Sequence, residues 1–141
     1  MSDTILVAVN DSPAAFAAVE VAVDHARRLD ARLRAIMVIE VGVMDRHLDA
    51  SETMATRREQ AADAVLNHVV ALGTAAGVDV VGCRRAGRVA AEILEEARAV
   101  NASLIVMARV DSPGHAIPSI GSHTLRVLEF ARIPVMVVPS G

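Results

Sequence analysis

Residues 103–122 read SLIVMARVDSPGHAIPSIGS. Leu104 to Met107 is a short apolar run with the length and β-branched content of a buried strand. The chain then breaks into a polar loop at Asp111, Ser112, Pro113 and Gly114. It closes on Gly121-Ser122, directly before the periodic segment His123 to Arg132. A strand, a loop and a helix opening on Gly-Ser form the arrangement by which an α/β protein presents backbone N–H groups to an anion. In open α/β sheets, ligands sit beyond the carboxyl ends of the strands.

Outward from this stretch the same alternation repeats. Thr4 to Val9 (TILVAV) reads as a buried first strand. Ser12 is a good N-cap and Pro13 suits the first helical position, which predicts a helix to about Leu29. Phe16, Val19, Ala22, Val23 and Ala26 mark its apolar side; Glu20, Asp24, Arg27 and Arg28 mark the wet side, and Asp30 closes it. Arg32 to Ile39 is a second strand, and Glu40 to Ala50 a loop. A long second helix runs from Ser51 to about Ala76, with Gly73 inside it at a cost of ~1 kcal/mol. Gly77 reads as its stop.

Val78 to Arg85 is a third strand with Gly82 inside it, and Val89 to Val100 a third helix. Beyond the central loop, Thr124 to Arg132 is a fourth helix. Ile133 to Pro139 is a last strand bracketed by Pro134 and Pro139, so it belongs at a sheet edge. Five strands alternating with helices predict an α/β fold, a parallel sheet covered on both faces with right-handed crossovers.

Bulk properties narrow the function. At 141 residues the chain reads as one domain over 1–141, able to bury roughly two-thirds of its unfolded surface. Hydrophobic residues make up 53% and charged residues 22%, which is a globular balance. The net charge of −3 argues against a nucleic-acid footprint, as does the absence of Trp and Tyr for base stacking. No apolar run approaches the ~20 residues of a membrane span, so no membrane partner is expected. Met1 to Thr4 has no basic region and leads into a strand rather than a signal peptide. The lone Cys83 has no internal partner, which fits a cytoplasmic location. The basic residues are all arginine, which with the abundant Ala and Val reads as genomic codon bias rather than function.

Three pieces carry a family likeness. The opening ILVAVNDSPAA resembles the start of a universal stress protein, typically ILVAVDGS. Gly87 to Val100 followed by ASLIVMA is similar to that family's third helix and fourth strand. Gly121 to Leu128, then Ile133 to Val138, resembles its closing GS–helix–PVLVV. The resemblance to the universal stress protein (UspA-like) family spans the chain in the right order. It implies an open five-stranded parallel sheet in order 3-2-1-4-5, adenine nucleotide alpha hydrolase-like and Rossmann-like, with helices on both faces. It also implies a cytoplasmic homodimer paired through the last strand, Pro134 to Val138, which agrees with the edge reading.

The nucleotide-binding branch of that family carries a motif like G-x-x-G-x9-G-[ST]. Laid on this chain, Gly121-Ser122 matches the last pair, but the earlier glycines fall on Ala108 and Asp111. The aspartate usual in the first loop is Asn10. The family's ligand positions then map to Asn10, Val38, Met107, Ala108, Asp111, Gly121 and Ser122.

These departures have physical content. A cradle glycine permits close backbone approach and positive φ. Ala108 is a mild loss. Asp111 adds a Cβ and a negative charge where a phosphate would lie, and two unit charges ~4 Å apart near a surface repel by roughly 4 kcal/mol. Mg²⁺ or Arg109 could offset that repulsion, and Asn10 removes one carboxylate. The ligand implied is ATP, with Mg²⁺, or a less penalised AMP-like nucleotide, with binding weak or absent.

Bland readings stand beside the sharp ones. Gly121-Ser122 is either a phosphate site or ordinary helix capping by Ser122 or Ser119. Asp111, His115 and His123 do not have a standard metal-ligand spacing, so no metal is expected. Asn10-Asp11-Ser12 reads as a turn plus N-cap rather than a nucleophile. Cys83 reads as a buried inert thiol, and Glu92, Glu95 and Glu96 as a wet helix face. Arg84, Arg85 and Arg88 read as a solvated strand end or an anion patch. Three functions remain, one of them a purely structural partner-binding subunit with the loop closed over itself. Another is a dimeric regulatory module, with a protein partner and no turnover. The third is a slow Mg²⁺-dependent ATPase or nucleotide-dependent enzyme, against which stand the absence of lysine and of any evident catalytic base.

Overall fold

The computed structural model describes residues 3–40, 51–109 and 120–139. The elements alternate as expected: β1 (Thr4–Ala8), α1 (Pro13–Leu29), β2 (Arg32–Glu40), α2 (Ser51–Ala75), β3 (Val80–Gly87), α3 (Val89–Ala99), β4 (Leu104–Ala108), α4 (Ser122–Phe130) and β5 (Val135–Val138). The five strands form one sheet in the order β3-β2-β1-β4-β5, and every pairing is parallel. Ile5 pairs Leu33 on one side and Leu104 on the other, so β1 is central and β5 lies at an edge.

The local chemistry explains the boundaries. Ser12 Oγ accepts from the Ala15 N–H at 3.3 Å, and Pro13 follows at the first helical position. Asp30 ends α1 in the left-handed region at φ 53°. Its own N–H reaches Arg27 O, and the Ala31 N–H donates to Ala26 O. Gly77 stops α2 at φ +78°. The third strand begins at Val80, two residues later than the apolar run suggests, because Val78 still donates its N–H to Gly73 O at the helix end. It also continues past Arg85 to Gly87, in register with Glu40 of β2.

Two layers of core sandwich the sheet. On one face α1 and α2 cover Ile5, Val7, Leu33 and Val106 with Ala18, Val19, Ala22, Leu66 and Val69. On the other, α3 and α4 cover Leu6, Ile36, Ile105 and Met107 with Ala90, Ile93, Ala97 and Val127. The glycines at 73 and 82 serve the first face. A Cβ on Gly73 would overlap the Val80 side chain, and one on Gly82 would sit 3.2 Å from Leu66 Cβ. The helical glycine thus trades propensity for close approach of α2 to β3.

The acidic run on α3 departs from the expected wet face. Glu96 is buried. Its carboxylate accepts from Arg34 Nε at 3.3 Å and lies 3.8 Å from Arg85 Nη1. Glu92 pairs with Arg85 Nε at 3.2 Å, and only Glu95 remains at the surface, paired with Arg98. Two members of the expected arginine cluster are likewise committed to ion pairs. Arg84 bonds Asp63 at 2.7 Å, and Arg85 bonds the α3 glutamates.

Candidate functional site

The strand order reverses between β1 and β4, since the chain leaves β1 toward β2 and β3 and then crosses to β4. That switch point opens a crevice at the carboxyl ends of the strands. A cleft of about 200 Å³ lies there. Its base is apolar: Val9 follows β1, Ile36 and Val38 come from β2, Met107 and Ala108 from β4, and Val89 and Ile93 from α3. Its polar groups are Asn10, Glu40, His123 and Thr124. A mostly apolar hollow with a few convergent polar groups is the usual form of a small-molecule site.

Each polar group is placed by local structure. Asn10 Oδ1 accepts the Ser12 N–H at 2.8 Å, which ties the first loop into its turn. With that oxygen engaged, the Asn10 amide nitrogen is the part left to donate into the cleft. Thr124 is 1% exposed, and its hydroxyl donates to Ala108 O at 2.9 Å. That bond locks the start of α4 to the end of β4. The Gly121 N–H donates to Arg109 O at 2.8 Å, which fixes the same junction from the helix side.

The opening of α4 corrects one expectation. The helix begins at Ser122, not Thr124, and Gly121 is the cap residue with no side-chain hydrogen bond. Ser122 therefore does not cap it. Ser119, the other capping candidate, lies outside the described residues. The first turn of α4 carries N–H groups without intrahelical partners, and the positive end of the helix dipole lies beside the cleft.

Of the expected ligand residues, Asn10, Val38, Met107 and Ala108 meet in this one cleft. Gly121 and Ser122 adjoin it through the first turn of α4, where His123 and Thr124 form part of the lining. Asp111 and His115 lie outside the described residues. Among the described residues no group of three His, Cys, Asp or Glu side chains is placed to hold a metal ion. Glu40 and Thr124 were missed from sequence. The signal for Thr124 is its spacing: it lies three residues before Val127 on the sheet-facing side of α4.

Behind the cleft, Cys83 on β3 lies 3.7 Å from Glu96 Oε2. Burial pushes its thiol above the ordinary value, and the nearby Glu96 carboxylate pushes the same way. Arg34 pulls in the opposite direction without reversing the shift. A thiol held protonated in this way is a poor nucleophile, so the cleft is not built around it.

The chain matches the universal stress protein family over residues 1–139. It belongs to that family. No curated protein sequence matches it. Among solved structures, a universal stress protein from Burkholderia pseudomallei is 30% identical, with 98% of this chain and 96% of that one covered and a TM-score of 0.75. A universal stress protein in complex with cAMP is 22% identical, with 96% of each chain covered and a TM-score of 0.76. The universal stress protein from Archaeoglobus fulgidus in complex with dAMP is 20% identical, again with 96% of each chain covered and a TM-score of 0.73. At these last two identities the likeness is one of fold. In the described residues no helix is long and apolar enough to cross a membrane.

Proposed function

We propose that this universal stress protein is a cytoplasmic regulatory module that binds an adenosine monophosphate weakly and has no turnover of its own. The cleft at the β1/β4 switch point carries the reading. Val38, Ile36 and Met107 offer an apolar slot for a purine. Asn10 sits at the first loop, where a ribose would lie. The first turn of α4, opening at Gly121, faces the phosphate. Two structures of like fold hold cAMP and dAMP, each with a single phosphate. Ala108 and Asp111 stand where the ATP-binding branch has glycines, so the penalty grows with each added phosphate.

The same module acts as a homodimer through β5. Pro134 to Val138 forms the sheet edge, with Val135, Met136 and Val137 only half-buried. On α4, Thr124 and Val127 face the sheet, while His123, Arg126 and Phe130 line hollows toward α3. Leu125 and Leu128, 55% and 38% exposed, occupy the remaining side, on the flank of α4 away from α3. An apolar edge flanked by exposed leucines is a surface that wants cover.

Calorimetric titration of AMP, ADP and ATP, each with and without Mg²⁺, tests the ligand. AMP is expected to bind at high micromolar affinity, with ATP weaker. Tighter binding of ATP with Mg²⁺, together with phosphate release lost in Asp111→Ala, would instead make the protein a slow ATPase. Light scattering tests the dimer: a monomer at micromolar concentration would overturn it, and Val135→Lys is expected to dissociate it.

A further inference from the structure

The α3/α4 side of the molecule holds more space than the nucleotide cleft uses. Two hollows of about 420 and 530 Å³ lie in line between these helices. They share Ala91, Leu94 and Phe130, so they form one groove. Its near end joins the cleft through Glu40, Val89 and His123. Its far end is lined by Ile105 and Ile133.

Three features of this groove are unexplained by a nucleotide. Phe130 is one of only two phenylalanines in the chain, yet it is 58% exposed over the middle of the groove. A single exposed aromatic is ordinary, but here it continues the apolar wall that Ala91 and Leu94 form in both hollows. Arg88 and Arg126 line the near end, and neither makes an ion pair among the described residues, whereas Arg84 and Arg85 are both paired. Between the ends, the shared residues Ala91, Leu94 and Phe130 carry no charge. At the far end Arg98 is neutralised by Glu95, with Arg132 beside them.

We propose that this groove binds a free medium-chain fatty acid, with the carboxylate between Arg88 and Arg126 and the chain laid over Leu94 and Phe130 toward Ile105. The charge pattern selects this occupant. Two guanidinium groups suit one planar carboxylate. The near end also holds the Glu40 carboxylate and His123, so its balance favours a single negative head over a polyanion. The single-file arrangement of the hollows suits a chain rather than a folded partner. The eleven residues of α3 span about 16 Å at 1.5 Å per residue, the length of an extended dodecyl chain.

The test reads the fatty acid alone, so it stands whether or not the cleft takes a nucleotide. The whole protein is titrated with dansyl-undecanoate below its micelle-forming concentration, followed by displacement with dodecanoate. One saturable site is expected. Replacing both arginines (Arg88→Gln with Arg126→Gln) should weaken it by at least about tenfold. Ala91 is exposed on the groove wall, so Ala91→Phe fills the groove without disturbing the core, and it should abolish binding with an unchanged circular dichroism spectrum. The absence of a saturable site would overturn the proposal. Displacement by dodecanol as effective as by dodecanoate, or normal binding by Ala91→Phe, would do so equally.

Discussion

The two faces of the sheet are built by different rules. The α1/α2 face is aliphatic, and it closes so tightly that glycines are needed at 73 and 82. The α3/α4 face holds the buried carboxylate of Glu96, the cleft and the groove beside it. Both faces bury aliphatic residues of the same five strands. The difference lies in what meets the sheet: α2 approaches β3 to van der Waals contact at Gly73 and Gly82, while α3 sets the Glu96 carboxylate against Arg34 and Arg85 beside its apolar core. One face is closed by apolar contact, and the other adds a buried charge and open space to its apolar core.

The sharpest way to break this contrast is Gly73→Val. The added side chain collides with Val80 against the buried α2/β3 contact, and overpacking of this kind costs about 2 kcal/mol. Urea denaturation should show that loss, while AMP affinity of the folded protein stays unchanged. A loss of ligand binding with no loss of stability would reverse the roles assigned to the two faces.

Thr124→Val probes the other face. It keeps the shape and removes the bond to Ala108 O, leaving a buried carbonyl without its donor, at a cost of about 1 kcal/mol. Here the binding effect should exceed the stability effect, because the lost bond positions the first turn of α4. Asp111→Gly, which restores a glycine of the family motif and removes a negative charge, should raise ATP affinity about tenfold and AMP affinity less. Calorimetry reads both ratios.

The smallest effect concerns Cys83. Its thiol lies above the ordinary value because of burial and Glu96, so less thiolate is present at any given pH. Alkylation by iodoacetamide should therefore begin at higher pH than for free cysteine. Glu96→Gln removes the charge contribution alone and should move that onset down slightly, with burial still holding it high. An onset at or below that of free cysteine would contradict the environment described.

Much of the fold is legible in the sequence because strand and helix periodicities alternate without interruption. The edge position of β5 follows from Pro134 and Pro139. The cleft was legible at the strand end of Met107, and at Asn10 and Val38 through the family resemblance. What was hidden depends on how helices pack. Glu96 looked like part of a solvated run, yet it lies three residues after Ile93 and beside Ala97, on the sheet-facing stripe of α3. Gly73 looked like a weakness in α2 because its reason, Val80, lies on another element. The separation of Arg88 from its paired neighbours Arg84 and Arg85 is likewise set by the turn at Gly87, where the chain leaves β3 for α3.

The claim that function sits on the α3/α4 face can be read residue by residue in one nuclear magnetic resonance titration with AMP. Amide shifts should concentrate at the ends of β1, β2 and β4 and in the first turn of α4, at Asn10, Val38, Met107, Ser122 and Thr124, with α1 and α2 silent beyond the first turn of α1. Shifts centred on the α1/α2 face, or none at millimolar AMP, would contradict it.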